Sequence, residues 1–353
     1  MALGYVGKYG QLKVLSTEFL SLKFMEELEQ KWDDFLKILS GTTYRREIDE
    51  FSALYKIPDL IDVVLNAHMM RTMQSAAFAA PPEARSFITA YLSKWDIENI
   101  KLILSAKVLG YTVEQTEKFL VVQHDTPAGI LAGIIAKDDY KTMLAQKDVE
   151  GVVNSVLKYG YGKVLLKYLD SAKRNSDISE MVLALDLYYY NVLIEEYKLH
   201  NITERIIGEY IADSIDVRNI MNMLKGISYG YKNLGQYVIK GGNIGEKELT
   251  EIASKGAEYM LDHIPFKIND AIERYKSEGF LGYIENALRR ELYKKYISEF
   301  RHSSFSLAFI FAYMLRGEME RDELRSIWFS RYYNISKERS NALKIAKYVL
   351  SEN

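Results

Sequence analysis

The sequence predicts an all-α protein built from three similar helical repeats. Apolar residues recur at three- and four-residue steps through most of the chain, as in Leu12, Leu15, Phe19 and Leu22. Strict alternation of apolar and polar residues, which is typical of strands, is rare, and only five prolines interrupt the 353 residues. The third observation is an internal repeat: the stretch WDIENIK starting at Trp95 has a similar counterpart in IDVRNIM at residues 215–221.

Each repeat carries a pair of polar residues three positions apart at the start of an apolar stretch. The spacing places both side chains on one face of a helix. We expect each pair to lie at a helix head, where the helix dipole favours a carboxylate. The three pairs are Asp96 with Asn99, Asp216 with Asn219, and Glu320 with Glu323.

A helix-stop residue follows each carboxylate after fourteen positions. Glycine and asparagine accept the left-handed conformation that ends many helices, so we expect helix ends at Gly110, Gly230 and Asn334. Thr112 and Ser336 come two residues later, where a following helix needs an N-cap. Ten positions after the carboxylates the residue is small, which would let a neighbouring helix approach closely; these residues are Ala106, Gly226 and Ser330.

The repeats divide the chain into an N-terminal helical segment and three units. The predicted bounds are residues 1–42 for the segment and then 43–155, 156–262 and 263–353 for the repeats.

Composition excludes several classes of function. The net charge is −2 without a basic block, which argues against a nucleic-acid partner. Without cysteine there can be no disulfide, no thiolate metal site and no cysteine nucleophile. The first ten residues lack the apolar core of a signal peptide, and the longest apolar run, 305–315, is shorter than the roughly 20 residues of a membrane span. We therefore expect a cytoplasmic protein, or one bound to a membrane complex from that side.

The polar pairs permit two interpretations. They could form a metal site or a general acid–base site, or they could cap and pack a helix entrance. An active site is rarely needed three times in one chain, so the repetition favours the structural role. Glu299 and His302 match half of a di-iron motif and Glu196 adds a carboxylate, but the further ligands of such a site are missing. A phosphate-binding glycine loop is also missing, so we expect neither a metal, a cofactor nor a nucleotide.

The motifs together resemble the C subunits of archaeal A-type ATP synthases, whose counterparts in vacuolar ATPases are the d subunits. The resemblance rests on WDIENIKLILSAKVLGY, SIDVRNIMNMLKGISYGY, LALDLYYYNVL, EMERDELRSIW and NISKERSNALKIAKYVL, and extends from Gly4 to the end. Two positions depart from the family pattern. Gln11-Leu12-Lys13 stands where that pattern has Arg-hydrophobic-Arg, and Glu323 stands where it has Asn.

The resemblance implies three helical repeats around a pseudo-threefold axis, forming a funnel without catalytic residues. It further implies a peripheral place on the cytoplasmic face of the membrane, between the central shaft subunits and the rotor ring of proteolipid subunits. A protein in this place transmits torque in proton- or sodium-coupled ATP synthesis or hydrolysis. On this basis we expect the three polar pairs to face the interior or rim of the funnel and to form a socket for the shaft.

Two alternatives stay open at this point. The chain could be a helical scaffold for another soluble partner, or a helical carboxylate metalloenzyme that uses Glu299, His302 and Glu196.

Overall fold

A computed structural model describes residues 6–117, 122–123, 126–199, 204–301 and 306–350. The described residues form twenty α-helices and one bridge between two strands of two residues each, so the all-α prediction is confirmed. In chain order the elements are α1 Val6–Leu15, α2 Leu22–Gln30, α3 Phe35–Leu39, α4 Arg45–Phe51, α5 Asp59–Ala79, α6 Arg85–Val108, α7 Val113–Glu117, β1 Val122–Gln123, β2 Thr126–Pro127, α8 Lys137–Leu144, α9 Val149–Ser155, α10 Tyr161–Leu165, α11 Leu169–Asn175, α12 Ser179–Leu199, α13 Arg205–Ser228, α14 Glu246–Ser254, α15 Ala257–His263, α16 Asn269–Glu278, α17 Gly282–Arg301, α18 Leu307–Tyr332, α19 Lys337–Leu343 and α20 Ala346–Leu350. The two strands pair in antiparallel register.

The chain divides into two compact units, and the boundary after Thr42 coincides with the predicted end of the N-terminal segment. The first unit combines Met1–Thr42 with Thr203–Asn353, and the second unit is Thr43–Ile202. The other predicted bounds, at 155/156 and 262/263, fall inside these units. The repeat limits and the pseudo-threefold funnel therefore stay predictions.

In the second unit α12 packs along α6 over a buried apolar core that includes Ile100, Leu104 and Leu185. An ion pair joins the same two helices inside this core, with 2.6 Å between Lys101 Nζ and Asp186 Oδ1. Both residues are buried, and Lys101 Nζ also lies 3.0 Å from Glu98 Oε1, so the buried charges are compensated within this small cluster.

In the first unit α17 packs against both α13 and α18. The residues of α18 from Leu307 to Glu320 are all buried, which explains why this stretch is apolar over most of its circumference. The N-terminal segment belongs to the same unit: α2 packs on α18, and Phe35 lies beside Trp328 with 5.2 Å between ring centroids.

Local signals account for where several helices begin. The side chains of Ser21, Asp148, Ser306 and Ser336 each accept a hydrogen bond from the backbone N–H three residues on, which satisfies a donor that the first turn leaves free. The predicted capping box forms at Thr112, whose hydroxyl accepts from the N–H of Gln115 while its own N–H donates to the Gln115 side chain.

Candidate functional site

The three polar pairs do not lie at helix heads, so that prediction is wrong. Asp96, Asp216 and Glu320 lie near the middle of α6, α13 and α18, which have 24, 24 and 26 residues. The influence of the helix dipole on a side chain fades beyond the first turn, so it cannot explain a carboxylate at mid-helix. Another structural reason must account for these residues.

All three pairs are buried. The exposed fractions are 0% for Asp96, 1% for Asp216 and 1% for Glu320, and the i+3 partners are 9%, 1% and 3% exposed. Side chains buried within their own chain cannot contact a shaft, so these residues do not form the predicted socket. Their polar atoms need partners inside the protein, because an unpaired buried carboxylate is strongly unfavourable.

In the first pair, Asp96 accepts hydrogen bonds from the loop that precedes α8. Asp96 Oδ2 lies 2.7 Å from the backbone N of Ile134 and 3.4 Å from that of Ile135. The hydroxyls of Tyr140 and Tyr161 also donate to this carboxylate, at 2.7 and 3.1 Å. Asp96 therefore joins α6, the loop, α8 and α10.

Asn99 holds the same loop from the next turn of α6. Its side-chain nitrogen donates to the carbonyl of Ile130 at 3.1 Å and to the hydroxyl of Tyr140 at 3.3 Å. The Tyr140 hydroxyl thus accepts from Asn99 and donates to Asp96, which closes a small network between pair and loop.

The second pair holds the loop that precedes α14. The carboxylate of Asp216 accepts from the backbone N–H groups of Asn243 and Ile244, at 2.9 and 3.0 Å. Asn219 makes two bonds to the backbone of Ile239: its nitrogen donates to the carbonyl at 2.8 Å, and its oxygen accepts from the N–H at 2.7 Å. The side-chain amide of Asn219 therefore pairs with one residue's backbone as a strand would.

In the third pair both side chains are carboxylates, and each accepts hydrogen bonds from the backbone of a different segment. Glu320 accepts from the N–H of Leu20 at 2.6 Å, which ties the N-terminal segment to α18. Glu323 accepts from the consecutive N–H groups of Ile345 and Ala346, at 2.7 and 3.0 Å, where α20 begins. The departure to Glu at 323 thus places a carboxylate where the other two pairs have an amide.

A common arrangement, which we call the carboxylate anchor, follows from these contacts. In each repeat one buried carboxylate on a long helix, namely Asp96, Asp216 or Glu323, receives two consecutive backbone N–H groups at or just before the start of a later helix. The anchor satisfies loop donors that would otherwise be buried without an acceptor.

Two glycines complete the anchors and were not predicted from the sequence. A Cβ atom on Gly133 would lie 2.2 Å from the Asp96 carboxylate, and one on Gly242 would lie 2.1 Å from Asp216 Oδ1. Only glycine lets the backbone approach the carboxylate this closely. The signal in the sequence was a glycine immediately before the anchored N–H pair in both loops, Gly133-Ile134-Ile135 and Gly242-Asn243-Ile244.

Burial sets the electrostatics of the anchors. It raises the pKa of Asp96, Asp216 and Glu323 above the ordinary values of their carboxyl groups, although the backbone N–H donors oppose this shift. Burial and the neighbouring Asp96 charge also raise the pKa of Tyr140 well above its usual range. The Tyr140 hydroxyl therefore keeps its proton and serves as a donor.

The three predicted helix-stop residues lie at the ends of α6, α13 and α18. Gly110, Gly230 and Asn334 have φ angles of 71°, 71° and 52°, which is the left-handed region. Each lies just beyond the C-cap of its helix, and the next N–H donates back across the last turn, from Tyr111 to Ala106, from Tyr231 to Gly226 and from Ile335 to Ser330. These are Schellman motifs, and the small residues of the repeat supply their carbonyl acceptors.

These geometries support structural rather than catalytic chemistry. Among the described residues no group of three or more histidine, aspartate or glutamate side chains could hold a metal ion. The side chains of Glu299 and His302 lie outside the described residues, and Glu196 lies on α12 in the second unit.

Comparison with known proteins identifies relatives over nearly the whole chain. The model of the ATP synthase (C/AC39) subunit family matches residues 9–343. The A-type ATP synthase C subunit of Thermoplasma volcanium is 35% identical over 341 residues, covering 95% of this chain and 96% of the relative. That of Thermoplasma acidophilum is 34% identical, covering 97% and 98%, and that of Methanocaldococcus jannaschii is 24% identical, covering 89% and 79%. Because the family model and the Thermoplasma relatives both span almost the full length, this chain belongs to the ATP synthase (C/AC39) subunit family.

Proposed function

We propose that this chain is a central-stalk component of an A-type rotary ATP synthase. In this role it links the shaft of the soluble ATPase sector to the membrane rotor ring and passes torque between them. The observation that carries the proposal is the similarity to an A-type ATP synthase C subunit over 95% of the chain. Because the family is that of a structural subunit, the chain is a non-catalytic component of a rotary ATP synthase.

The anchors support a role in which force passes through the chain. Helices α6, α13 and α18 are each fastened to a distant segment by a buried carboxylate, and each ends in a Schellman motif. A part that transmits torque must resist relative movement of its helices. Hydrogen bonds that are buried and satisfied rigidify such contacts.

The proposed location is the cytoplasmic face of the membrane, with the shaft subunits and the ring of proteolipid subunits as partners. No helix in the described ranges is both long enough and apolar enough to span a bilayer. Attachment through protein partners agrees with this finding.

Reconstitution of the complex with and without this chain tests the proposal. The complete complex in sealed vesicles should hydrolyse ATP and pump ions. Without the chain, the soluble sector with its shaft should still hydrolyse ATP while pumping by the vesicles is lost. Adding the purified chain back should restore pumping.

Three results would contradict the proposal. Pumping that persists without the chain would show that coupling does not pass through it. Loss of ATP hydrolysis by the soluble sector alone would place the chain in the catalytic machinery. If the chain binds neither the shaft nor the ring, the scaffold alternative is favoured.

A further inference from the structure

A cavity of about 380 Å³ lies within the first unit, between the N-terminal segment and α18. Lys13, in the last turn of α1, and the link from α1 to α2 form one side of it. Phe309, Tyr313 and Arg316 form the other side, and their four- and three-residue spacing places them on one face of α18. The volume is in the range of cavities that hold small organic molecules.

The charged side chains that line this cavity are positive. Lys13 and Arg316 both line it, and none of the other described lining residues is acidic. Glu320 lies one turn beyond Arg316 on α18, but its carboxylate accepts from the Leu20 N–H and does not line the cavity. A ligand with a negative charge therefore fits this cavity better than a neutral or cationic ligand of the same shape.

Arg316 is the deeper of the two cations. Only 9% of Arg316 is exposed, whereas Lys13 belongs to the exposed residues. One terminal nitrogen of the Arg316 guanidinium donates to the carbonyl of Leu20, which fixes the group at the cavity wall. A guanidinium carries five N–H donors in one plane, so it can bind a carboxylate while it keeps this bond.

An aromatic ring lies beside each cation. Lys13 Nζ is 5.5 Å from the centroid of the Phe309 ring, and Arg316 Cζ is 5.6 Å from that of Phe19. Phe19 in turn packs against Tyr313, with 5.1 Å between ring centroids. The cavity thus combines two cations with aromatic walls, which suits a planar aromatic body that carries an anionic group.

We propose that this cavity binds a small aryl carboxylate. The carboxylate pairs with Arg316 and Lys13, and the ring of the ligand packs against Phe19 and Tyr313. Two cations without a phosphate-binding loop suit a single carboxylate rather than the triphosphate of a nucleotide. Because the cavity is lined by both the N-terminal segment and α18, a bound ligand stabilises the attachment of that segment to the first unit.

Isothermal titration calorimetry of the full-length chain with naphthoate tests the proposal. We expect one site with a Kd of about 1 mM or tighter, which a ligand of this size reaches at ordinary efficiency. Naphthamide is a neutral analogue of the same shape and should bind at least about tenfold more weakly, because it cannot form charged hydrogen bonds. Decanoate, which carries the same anionic group on an alkyl chain, should also bind more weakly, because it has no ring to pack on Phe19 and Tyr313.

Substitutions separate the two cations from the general charge of the surface. Arg316→Gln keeps a donor for the Leu20 carbonyl but removes the charge, so it should weaken naphthoate binding about tenfold or more, and Arg316→Lys should lose less. Lys13→Ala should weaken binding about two- to fivefold, because its contact with the ligand is exposed. Lys23→Ala is the matched control, since Lys23 is an exposed cation of the same segment that does not line the cavity. It should bind like the unsubstituted chain.

The remaining outcomes are distinct. If naphthoate gives no saturable binding, the inference is overturned while the proposed function stands, because that function rests on similarity over the whole chain. Equal affinity for naphthamide, or an equal loss in Lys23→Ala, would overturn the role given to Arg316 and Lys13. Tighter binding of decanoate would overturn the aryl class and assign the cavity to an alkyl acid such as a fatty acid.

Denaturant unfolding with and without naphthoate provides a second measurement. Naphthoate should raise the unfolding midpoint of the unsubstituted chain and of Lys23→Ala, and it should raise that of Arg316→Gln much less. The titrations without ligand show that each variant is folded. An equal rise for Arg316→Gln would show that naphthoate binds elsewhere on the chain and would overturn the inference.

Discussion

At the scale of single residues, the carboxylates of the repeat are anchors for backbone N–H groups rather than reactive groups. Asp216 and Gly242 show how closely side chain and loop are matched, with 2.1 Å between Oδ1 and the Cβ that alanine would add at position 242. Because of this close fit, the effects of substituting the two residues on the free energy of unfolding should not be additive.

We predict that Asp216→Ala lowers the free energy of unfolding by about 2–6 kcal/mol, because two loop donors lose their acceptor at about 1–3 kcal/mol each. Gly242→Ala should cost about 1–3 kcal/mol through overpacking. In the double variant the alanine at 242 no longer meets a carboxylate, so the two losses should sum to more than the measured total. Urea unfolding of the unsubstituted chain, the two single variants and the double variant measures this double-mutant cycle.

The control for this cycle is Glu209→Ala on the same helix. Glu209 is 40% exposed and pairs with Arg205 one turn away, so its loss should cost only about 0.3–0.5 kcal/mol. Strict additivity of Asp216→Ala and Gly242→Ala would show that the carboxylate and the glycine do not interact.

The raised pKa of Asp96 predicts a pH dependence of stability. Its folded-state pKa is above the ordinary 3.8, so folding favours the protonated form. The stability that this preference contributes is present below pH 3.8 and is lost as the pH rises through the folded-state pKa. The unfolding free energy of the unsubstituted chain minus that of Asp96→Asn should therefore decrease as the pH rises above 3.8 and through the folded-state pKa of Asp96.

Denaturant titrations of both chains at several pH values measure this difference, and most other titrating groups cancel in the subtraction. A difference that grows with pH would show that the hydrogen bonds to Asp96 outweigh its burial.

At the scale of elements, the ends of the long helices were predictable and their beginnings were not. Gly110, Gly230 and Asn334 are recognisable because few residue types accept a positive φ. The beginnings were misplaced because Asp96 and Asp216 resemble N-caps in a short window of sequence. The useful signals lay upstream: Pro81-Pro82 precede the turn into α6, and Ser306 caps α18.

The partners of the anchors could not be read from the sequence. Asp96 binds the backbone of Ile134 and Glu323 binds that of Ile345, 38 and 22 residues away. A backbone N–H is present at every residue except proline, so it leaves no signature in the sequence. Only the glycine that makes room for the carboxylate marks two of the three places.

We predict that Gly230→Ala destabilises the chain by about 1–2 kcal/mol, because its φ of 71° is unfavourable for a residue with a Cβ atom. Gly10→Ala is the matched control. Gly10 lies inside α1 without a positive φ and nothing lies within 4 Å of the added Cβ, so alanine there should be neutral or slightly stabilising. Thermal unfolding of both variants measures the difference in stability. Equal effects of the two substitutions would show that the positive φ at position 230 does not require glycine.

At the scale of the whole molecule, family membership was predictable because motif order holds over nearly the full chain. The spatial relation of the repeats was not predictable, because the boundaries of the compact units do not follow the repeat bounds after residue 42. Sequence repetition reports equivalent positions along the chain and does not report how the segments pack.

We predict that the purified chain binds no ATP and holds no stoichiometric metal. The chain lacks a phosphate-binding loop in sequence, and its anchored carboxylates are occupied by backbone donors. Isothermal titration calorimetry with ATP and elemental analysis for iron and manganese are the measurements. Millimolar or tighter ATP binding would contradict the first part, and one metal ion per chain would favour the carboxylate enzyme alternative.

The carboxylate anchors have a consequence for how freely this sequence can change. Asp96 binds the backbone N–H of Ile134 and not its side chain, and this residue is 43% exposed. Any residue type that brings a backbone N–H could therefore stand at position 134 while the attachment survives. Proline is the exception, since it alone brings no N–H to the carboxylate. Diverging relatives can thus keep the same hydrogen bond while the exposed side chains of the loop change.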